Sequence, residues 1–575
     1  MLVSPLHAHS TNMSINNVNT SRFQRFSHAF TSPMAFKQAI ELSSSKSILI
    51  NEDLAPSPPP RRTWTTWSYF AYWWSESWCV STWAVGSSFI ALGATLRDAL
   101  LVVFFANLLS AVIIVANGRA ASRYHIGYPV LARVSFGIYG QYFVIILRSI
   151  FGIIWAAINM YFTGRFVSIC LRCIFPGWVS LHNSIPATQG ITIQAFIGYI
   201  IAFFGTLPFV FVHTSKIMHL FTIKSIIMPL AGLGIVIWAT TNTSTVDSGT
   251  FQETPPPSAS FLAWGIIAQF DSVIGINSAL LVTVPDLARY SKTPNAQVWG
   301  QLFALPIAQT ICGAFGILAT AAVKNTYGTA YWNPYDLLEA ILDHSYTSKA
   351  RAGVFFASAA FAFATLGTSI ACNFIPFAAD VTSLLPKYIN IIRGQILCLI
   401  VAFGIVPWKI VASADGFLAF INGYSIFQFP ITAIMVVDYF LIRRGNMSIP
   451  DMYNLASSGR YYYYHGWNIR AFVAFVAGFA LPMPGFIQSF RKSTGNAINR
   501  MYLLGWILSL LMGALTYYLG CLIWKVPGEE KHCPFESQVP GDGDEIDLFE
   551  SASTAALEEE GFTMDHETSQ PKGSE

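Results

Sequence analysis

The chain has 575 residues, of which 53% are hydrophobic, 15% aromatic and only 11% charged; the net charge is +3 and the mean hydropathy +0.49. A soluble domain averages about 25% charged residues. That excludes a soluble multidomain enzyme and a disordered chain, and eight cysteines are too few for a disulfide-stapled secreted domain. The near-neutral charge leaves no electrostatic footprint for nucleic acid, and the chain reads as an all-α, polytopic membrane protein.

Residues 1–62 form a polar N-terminal tail, expected in the cytosol, with a transit-peptide-like composition as the alternative reading. Apolar runs follow at about 67–93, 98–117, 140–168, 191–211, 219–240, 261–283, 299–322, 352–378, 389–406, 415–441, 470–489 and 501–523. Each is near the length of about 20 residues that crosses a bilayer, so twelve transmembrane helices are expected within a core of 63–524. Residues 525–575 are a second tail, acidic and poor in apolar runs, also expected in the cytosol.

Basic residues set the orientation. Arg119, Arg123 and Arg133 follow span 2, Lys216 and Lys224 are counted between spans 4 and 5, Arg289 and Lys292 follow span 6, Lys387 and Arg393 follow span 8, and Arg443, Arg444 and Arg460 follow span 10. Even-numbered connections are then cytoplasmic and both termini inside. Arg491, Lys492 and Arg500, between spans 11 and 12, run against that pattern. A glycosylation sequon at Asn242-Thr243-Ser244 falls in an expected external loop. Cys170 and Cys173 form a lone CxxC without a second pair, which reads as packing and not as zinc.

Polar residues at membrane depth are costly and point to function. Span 1 carries Glu76 and Cys79 among serines and threonines, which suggests an unwound or solvated segment; the alternative is a Glu76 that snorkels at the cytosolic end. In span 3, Trp155 and Asn159 are four apart and share one helix face. An indole can stack on a flat polar ring and an amide can pair its N–H/C=O edge, although packing is the commoner role of such a Trp. Span 6 places Asp271, Gly275 and Asn277 in one run, with Gly275 as a candidate helix break that exposes backbone groups. Asp286 and Arg289 at its end read as a structural pair. In span 8, Pro376 frees a carbonyl one turn back, and Asp380 stands two turns after Asn373. Spans 1 and 6, and spans 3 and 8, are each five apart. Two inverted five-helix repeats superpose such pairs around a midplane site.

The motifs themselves resemble a known family. Asn51-Glu52-Asp53-Leu54-Ala55-Pro56 with Arg62-Thr63-Trp64 precedes span 1. Trp73-Trp74 with Ser87-Ser88, Pro285-Asp286 with Arg289-Tyr290, Gly367-Thr368 with Asn373 and Asp380, Gly423-Tyr424-Ser425 with Asp438-Tyr439-Phe440, and Gly466-Trp467-Asn468 follow in order. From about residue 51 to 524 the chain is similar to fungal uracil and allantoin permeases of the nucleobase:cation symporter 1 family.

The resemblance implies a LeuT-like fold of five plus five inverted-repeat helices with two further C-terminal helices, working by alternating access. It implies that Trp155 stacks on the substrate, that Asn373 hydrogen-bonds it, and that Asp380 serves gating. Asn159 stands where Gln is usual, Glu76 and Cys79 where Asp and Asn are usual, and Asn277 where bacterial members carry Trp. Asp53 matches a tail motif associated with gating. The adjacent span-8 hydroxyls of the bacterial sodium site fall on Gly367 and Thr368, so that Ala364 and Thr368 are a remnant of a cation site. With one ligand missing, the coupling ion expected is a proton, carried by Glu76, Asp271 or Asp380, and no other cofactor or metal is expected. The function expected is import of uracil or a related heterocycle such as allantoin at the plasma membrane. Uridine, thiamine or nicotinamide riboside on the same fold, and a non-transporting nutrient sensor, are the alternatives. The partners expected are the small heterocycle and membrane lipid, with ubiquitin or trafficking machinery acting through the tails, and an enzyme is not expected.

Overall fold

A computed structural model describes residues 49, 54–212, 218–242, 259–489 and 497–526. Asp53, most of the sequon, Arg491, Lys492 and nearly all of both tails lie outside these residues. Among the described residues the regular secondary structure is helical, apart from two isolated β-bridges. Among the described residues, nine helices are long and apolar enough to cross a membrane, and a pair bent by 45°, Ile469–Ala480 and Met483–Ser489, makes a tenth. Two more apolar segments, too short to count by the same measure, stand where spans 1 and 9 are expected. Span 1 is split into Thr66–Ser77 and Val80–Ala91, and span 9 is the shorter Ile391–Gly404.

Local sequence accounts for the helix starts. Thr65 opens span 1 in a capping box with Ser68, and Thr95, Thr192, Thr347, Asn390 and Ser413 each accept a backbone N–H at the first turn of spans 2, 4, 8, 9 and 10. The break in span 1 has a local cause too. Trp78 and Cys79 leave helical geometry, with φ/ψ of −83°/76° and −137°/160°. Around them Ser77 donates to the Trp73 carbonyl at 2.6 Å and Ser88 to that of Ala84 at 2.5 Å. Hydroxyls that bond the preceding turn compete with the backbone ladder and bend helices. Past the break, the second half-helix lies so close to span 7 that a Cβ on Gly86 would meet the Gly313 carbonyl oxygen at 2.9 Å.

Span 6 differs from its expectation. Its helix, Ala259–Ala288, runs unbroken through Gly275. That glycine serves close packing: a Cβ there would meet the Ile421 side chain of span 10 at 2.8 Å. Its carbonyl accepts the Tyr424 hydroxyl at 2.8 Å. In span 8 the helix widens into one π-helical turn, Ile370–Phe374, just before Pro376. A proline that cannot donate to the preceding turn and an inserted residue go together.

Two short helices were not legible as spans. Tyr128–Phe136 follows span 2 and Pro334–His344 follows span 7, five spans later, as an inverted repeat requires. The first lies at the face where residues 54–64 cross the bundle. There Trp64 pairs with the end of span 6, its N–H donating to the Tyr290 carbonyl at 2.9 Å.

Candidate functional site

Spans 3, 6, 8 and 10 enclose a cavity at mid-depth. Trp155 of span 3, Thr283 of span 6, Cys372, Asn373 and Asp380 of span 8 and Gln428 of span 10 are among its lining residues. Trp155 is 6% exposed and braced edge-on by Phe417 and Tyr424, which fixes its plane. Its indole N–H lies beside the Tyr424 hydroxyl, whereas the Asn373 amide nitrogen and both polar atoms of the Gln428 side chain have no hydrogen-bond partner among the described residues. A buried polar group without a partner costs about 1–3 kcal/mol, so a cavity that collects several can stabilise a polar ligand by pairing them.

The cavity floor is an ion-pair cluster. Arg148 donates through Nε to Asp380 Oδ2 at 2.7 Å, through Nη2 to Asp380 Oδ1, and through Nη1 to Asp286 Oδ2 at 3.0 Å. The guanidinium lies 4.0 Å over the Tyr128 ring, and Asp286 also accepts the Tyr128 backbone N–H at 2.8 Å. One arginine thus ties spans 3, 6 and 8 to the Tyr128–Phe136 helix. Asp286 was expected to pair with Arg289; among the described residues it bonds Arg148 and Tyr128 instead. Arg289 turns to the tail segment, donating to the Ser57 hydroxyl at 2.8 Å and the Ala55 carbonyl at 2.5 Å.

Beside the cavity lies a second charged cluster. Lys224, counted as a loop residue, sits within span 5 and is fully buried. Its Nζ donates to Glu76 Oε1 at 3.2 Å and to Thr368 Oγ1 at 2.5 Å. The other Glu76 oxygen accepts the Cys372 thiol at 3.0 Å, and Cys372 also faces the cavity. Glu76 therefore neither snorkels nor stands alone. It joins the Lys224 ammonium, beside the Thr368 expected as part of a cation-site remnant, to the cavity wall. Of that remnant, Ala364 is buried and offers no side-chain oxygen.

The remaining candidates lie elsewhere. Asn159 is buried one turn beyond Trp155 but does not line the cavity. Asn277 points away from it, into spans 2 and 7. Its amide exchanges bonds of 2.9 and 3.2 Å with Gln309 and donates to Asn107 at 2.9 Å. Gly275 packs against span 10, as described above. Cys79 stands at the span-1 break, its sulfur 3.2 Å from the Thr82 hydroxyl. Asp271 caps span 12, accepting the Trp506 backbone N–H at 3.0 Å. Arg148, Lys224 and Gln428 were passed over in the sequence. A lysine inside the 219–240 apolar run was the available signal for the second.

The architecture is similar to two solved structures of Mhp1. One is in an inward-facing conformation, with a TM-score of 0.65 and 20% identity, covering 88% of this chain and 100% of that one. The other is closed with bromovinylhydantoin bound, at 0.63 and 18%, covering 85% and 98%. The fold is that of a polytopic helical membrane protein of inverted-repeat architecture. A family model described as permease for cytosine/purines, uracil, thiamine and allantoin matches residues 56–509, and the chain belongs to that family. Among its relatives in Saccharomyces cerevisiae, an allantoin permease is 34% identical over 86% of this chain and 78% of its own length. A uridine permease is 32% identical (87% and 79%), and a uracil permease 31% (88% and 80%). The chain is a permease and not an enzyme.

Proposed function

We propose that this permease is a proton-coupled importer of a small planar heterocycle of the uracil or allantoin class, acting by alternating access at the plasma membrane with both termini in the cytosol. The observation that carries the coupling is the Lys224 ammonium within hydrogen-bond reach of Thr368 and Glu76. A sodium ion at that position would meet a positive charge about 4 Å away. At an effective dielectric of about 20 the repulsion is about 4 kcal/mol, roughly a thousandfold in occupancy. A proton needs only the Glu76–Lys224 pair itself. Protonated Glu76 no longer neutralises Lys224, and its oxygen, without the negative charge, accepts the Cys372 thiol more weakly. Cation uptake is thereby felt in the residue beside Asn373.

The substrate class follows from the unpaired groups. Trp155 offers a face, and Asn373 a donor, to a ring rich in carbonyls. The names of the yeast relatives and the hydantoin held by Mhp1 support a ring of that kind. The Arg148–Asp380–Asp286 cluster beneath the ring serves as the inner gate, since opening toward the tail face must separate spans 3, 6 and 8. The long tails suit trafficking or ubiquitin-dependent turnover.

The test is uptake of radiolabelled uracil and of allantoin in yeast lacking its own nucleobase permeases, at pH 5 and pH 7, with Asn373→Ala alongside. Faster uptake at pH 5 that the variant loses is the expected result. Absence of uptake of both by a protein present at the surface would overturn the substrate class.

A further inference from the structure

Gln428 lies in the middle of span 10, fully buried, two residues before Pro430. Glutamine is seldom fully buried, and when it is, its carboxamide is normally paired. Here neither Nε2 nor Oε1 has a hydrogen-bond partner among the described residues, and the side chain borders the cavity shared with Trp155 and Asn373. The contrast with Gln309 is direct. That carboxamide, also buried, uses both atoms on Asn277. The Gln428 backbone carbonyl is bonded, accepting the Thr432 hydroxyl at 3.4 Å. The open valence therefore belongs to the side chain alone.

We infer that Gln428 is a specificity-determining residue that pairs a cyclic imide or ureide edge of the substrate. Its amide N–H donates to a ring carbonyl while its oxygen accepts the adjacent ring N–H. A carboxamide presents one donor and one acceptor side by side, so its complement is a lactam-type N–H/C=O edge. With the Asn373 N–H on a second helix, the cavity offers two donors and one acceptor. An imide N–H flanked by two carbonyls supplies two acceptors and one donor. A ring lacking that N–H leaves the Gln428 oxygen unpaired, at a cost of about 1–3 kcal/mol. The inference rests on the heterocycle reading above and adds to it which edge is read, and from which span.

The experiment compares inhibition of radiolabelled uracil and allantoin uptake by paired analogues, uracil against 3-methyluracil and hydantoin against 3-methylhydantoin. Wild type is compared with Gln428→Met, which keeps the length and removes both polar atoms. In wild type, N-methylation is expected to weaken inhibition about tenfold. In Gln428→Met the parent ring weakens by a similar factor, and the methylation penalty falls to within about twofold. Gln428→Asn, which keeps an amide one methylene short, carries the same comparison if the Met variant does not reach the surface. It is expected to show a reduced penalty. A full penalty retained in either variant, or none in wild type, overturns the inference while wild-type uptake leaves the transporter reading standing. Wild type that takes up neither probe overturns both.

Discussion

Span 6 and its neighbours hold two sets of buried amides that invite comparison. Between spans 2, 6 and 7, Asn107, Asn277 and Gln309 bond one another. Between spans 3, 8 and 10, Asn373 and Gln428 face a shared cavity with polar atoms unspent. The residue types are the same and the burial is similar. In the first set polar side chains join helices, with the Ser110 hydroxyl a further partner for Asn277 at 3.3 Å. In the second their unpaired atoms are the groups proposed above to bind the substrate. Burial of an amide in a membrane protein thus marks a site only where its hydrogen bonds are incomplete.

The comparison can be strained hardest at the cavity floor. Arg148→Ala leaves Asp286 and Asp380 buried without their cation, and breaking such a pair costs about 3–5 kcal/mol. Uptake is expected to fall at least a hundredfold, and much of the protein to be lost from the surface, as read by fluorescence of a tagged form. Retention of wild-type uptake would remove Arg148 from the gate. The two amide sets separate next. Asn373→Ala is expected to raise KM about tenfold with an unchanged melting temperature, since no protein partner is lost. Asn277→Ala is expected to do the reverse: it strands Gln309 and Asn107, costs about 1–3 kcal/mol, and lowers the melting temperature of the purified protein with KM within about twofold. A KM effect from Asn277 equal to that from Asn373 would erase the distinction.

The smallest effect expected is at His125, between span 2 and the Tyr128–Phe136 helix. Burial, and then the Arg62 charge, push its ring down to about 4 from an ordinary 6.5. A base depressed on folding stabilises the fold above its unfolded value and loses that contribution as pH falls from about 6.5 toward 4. The ring is therefore neutral at cytosolic pH. His125→Gln should leave the ratio of uptake at external pH 5 and 7 unchanged, and a flattened ratio would place the titrating group here.

Much of this was legible in the sequence, for physical reasons. The hydroxyls around Glu76 carry the break in span 1, and Pro376 marks the widened turn of span 8. A spacing of seven puts Asn373 and Asp380 two turns apart, and both line the cavity. What failed was direction. Asn277 is two residues from Gly275, and successive residues turn about 100° around a helix. Composition does not say which neighbour each face meets. Gly275 between polar residues looked like a break, but the Ile421 side chain needs its space. Lys224 was absorbed into the tally of orienting charges, although it lies within an apolar run. Gln428 fell inside an aromatic stretch, and nothing in the sequence shows that its amide is unpaired.

The most direct measurement uses purified protein in sodium-free liposomes, loaded at pH 7.5 and diluted into buffer at pH 5.5 with radiolabelled uracil or allantoin. Wild type should accumulate the ring above its external concentration and lose the accumulation when a protonophore collapses the gradient. Lys224→Met should equilibrate the ring without concentrating it. Accumulation that appears only with an inward sodium gradient, or a Lys224→Met protein that concentrates substrate as wild type does, would contradict the account.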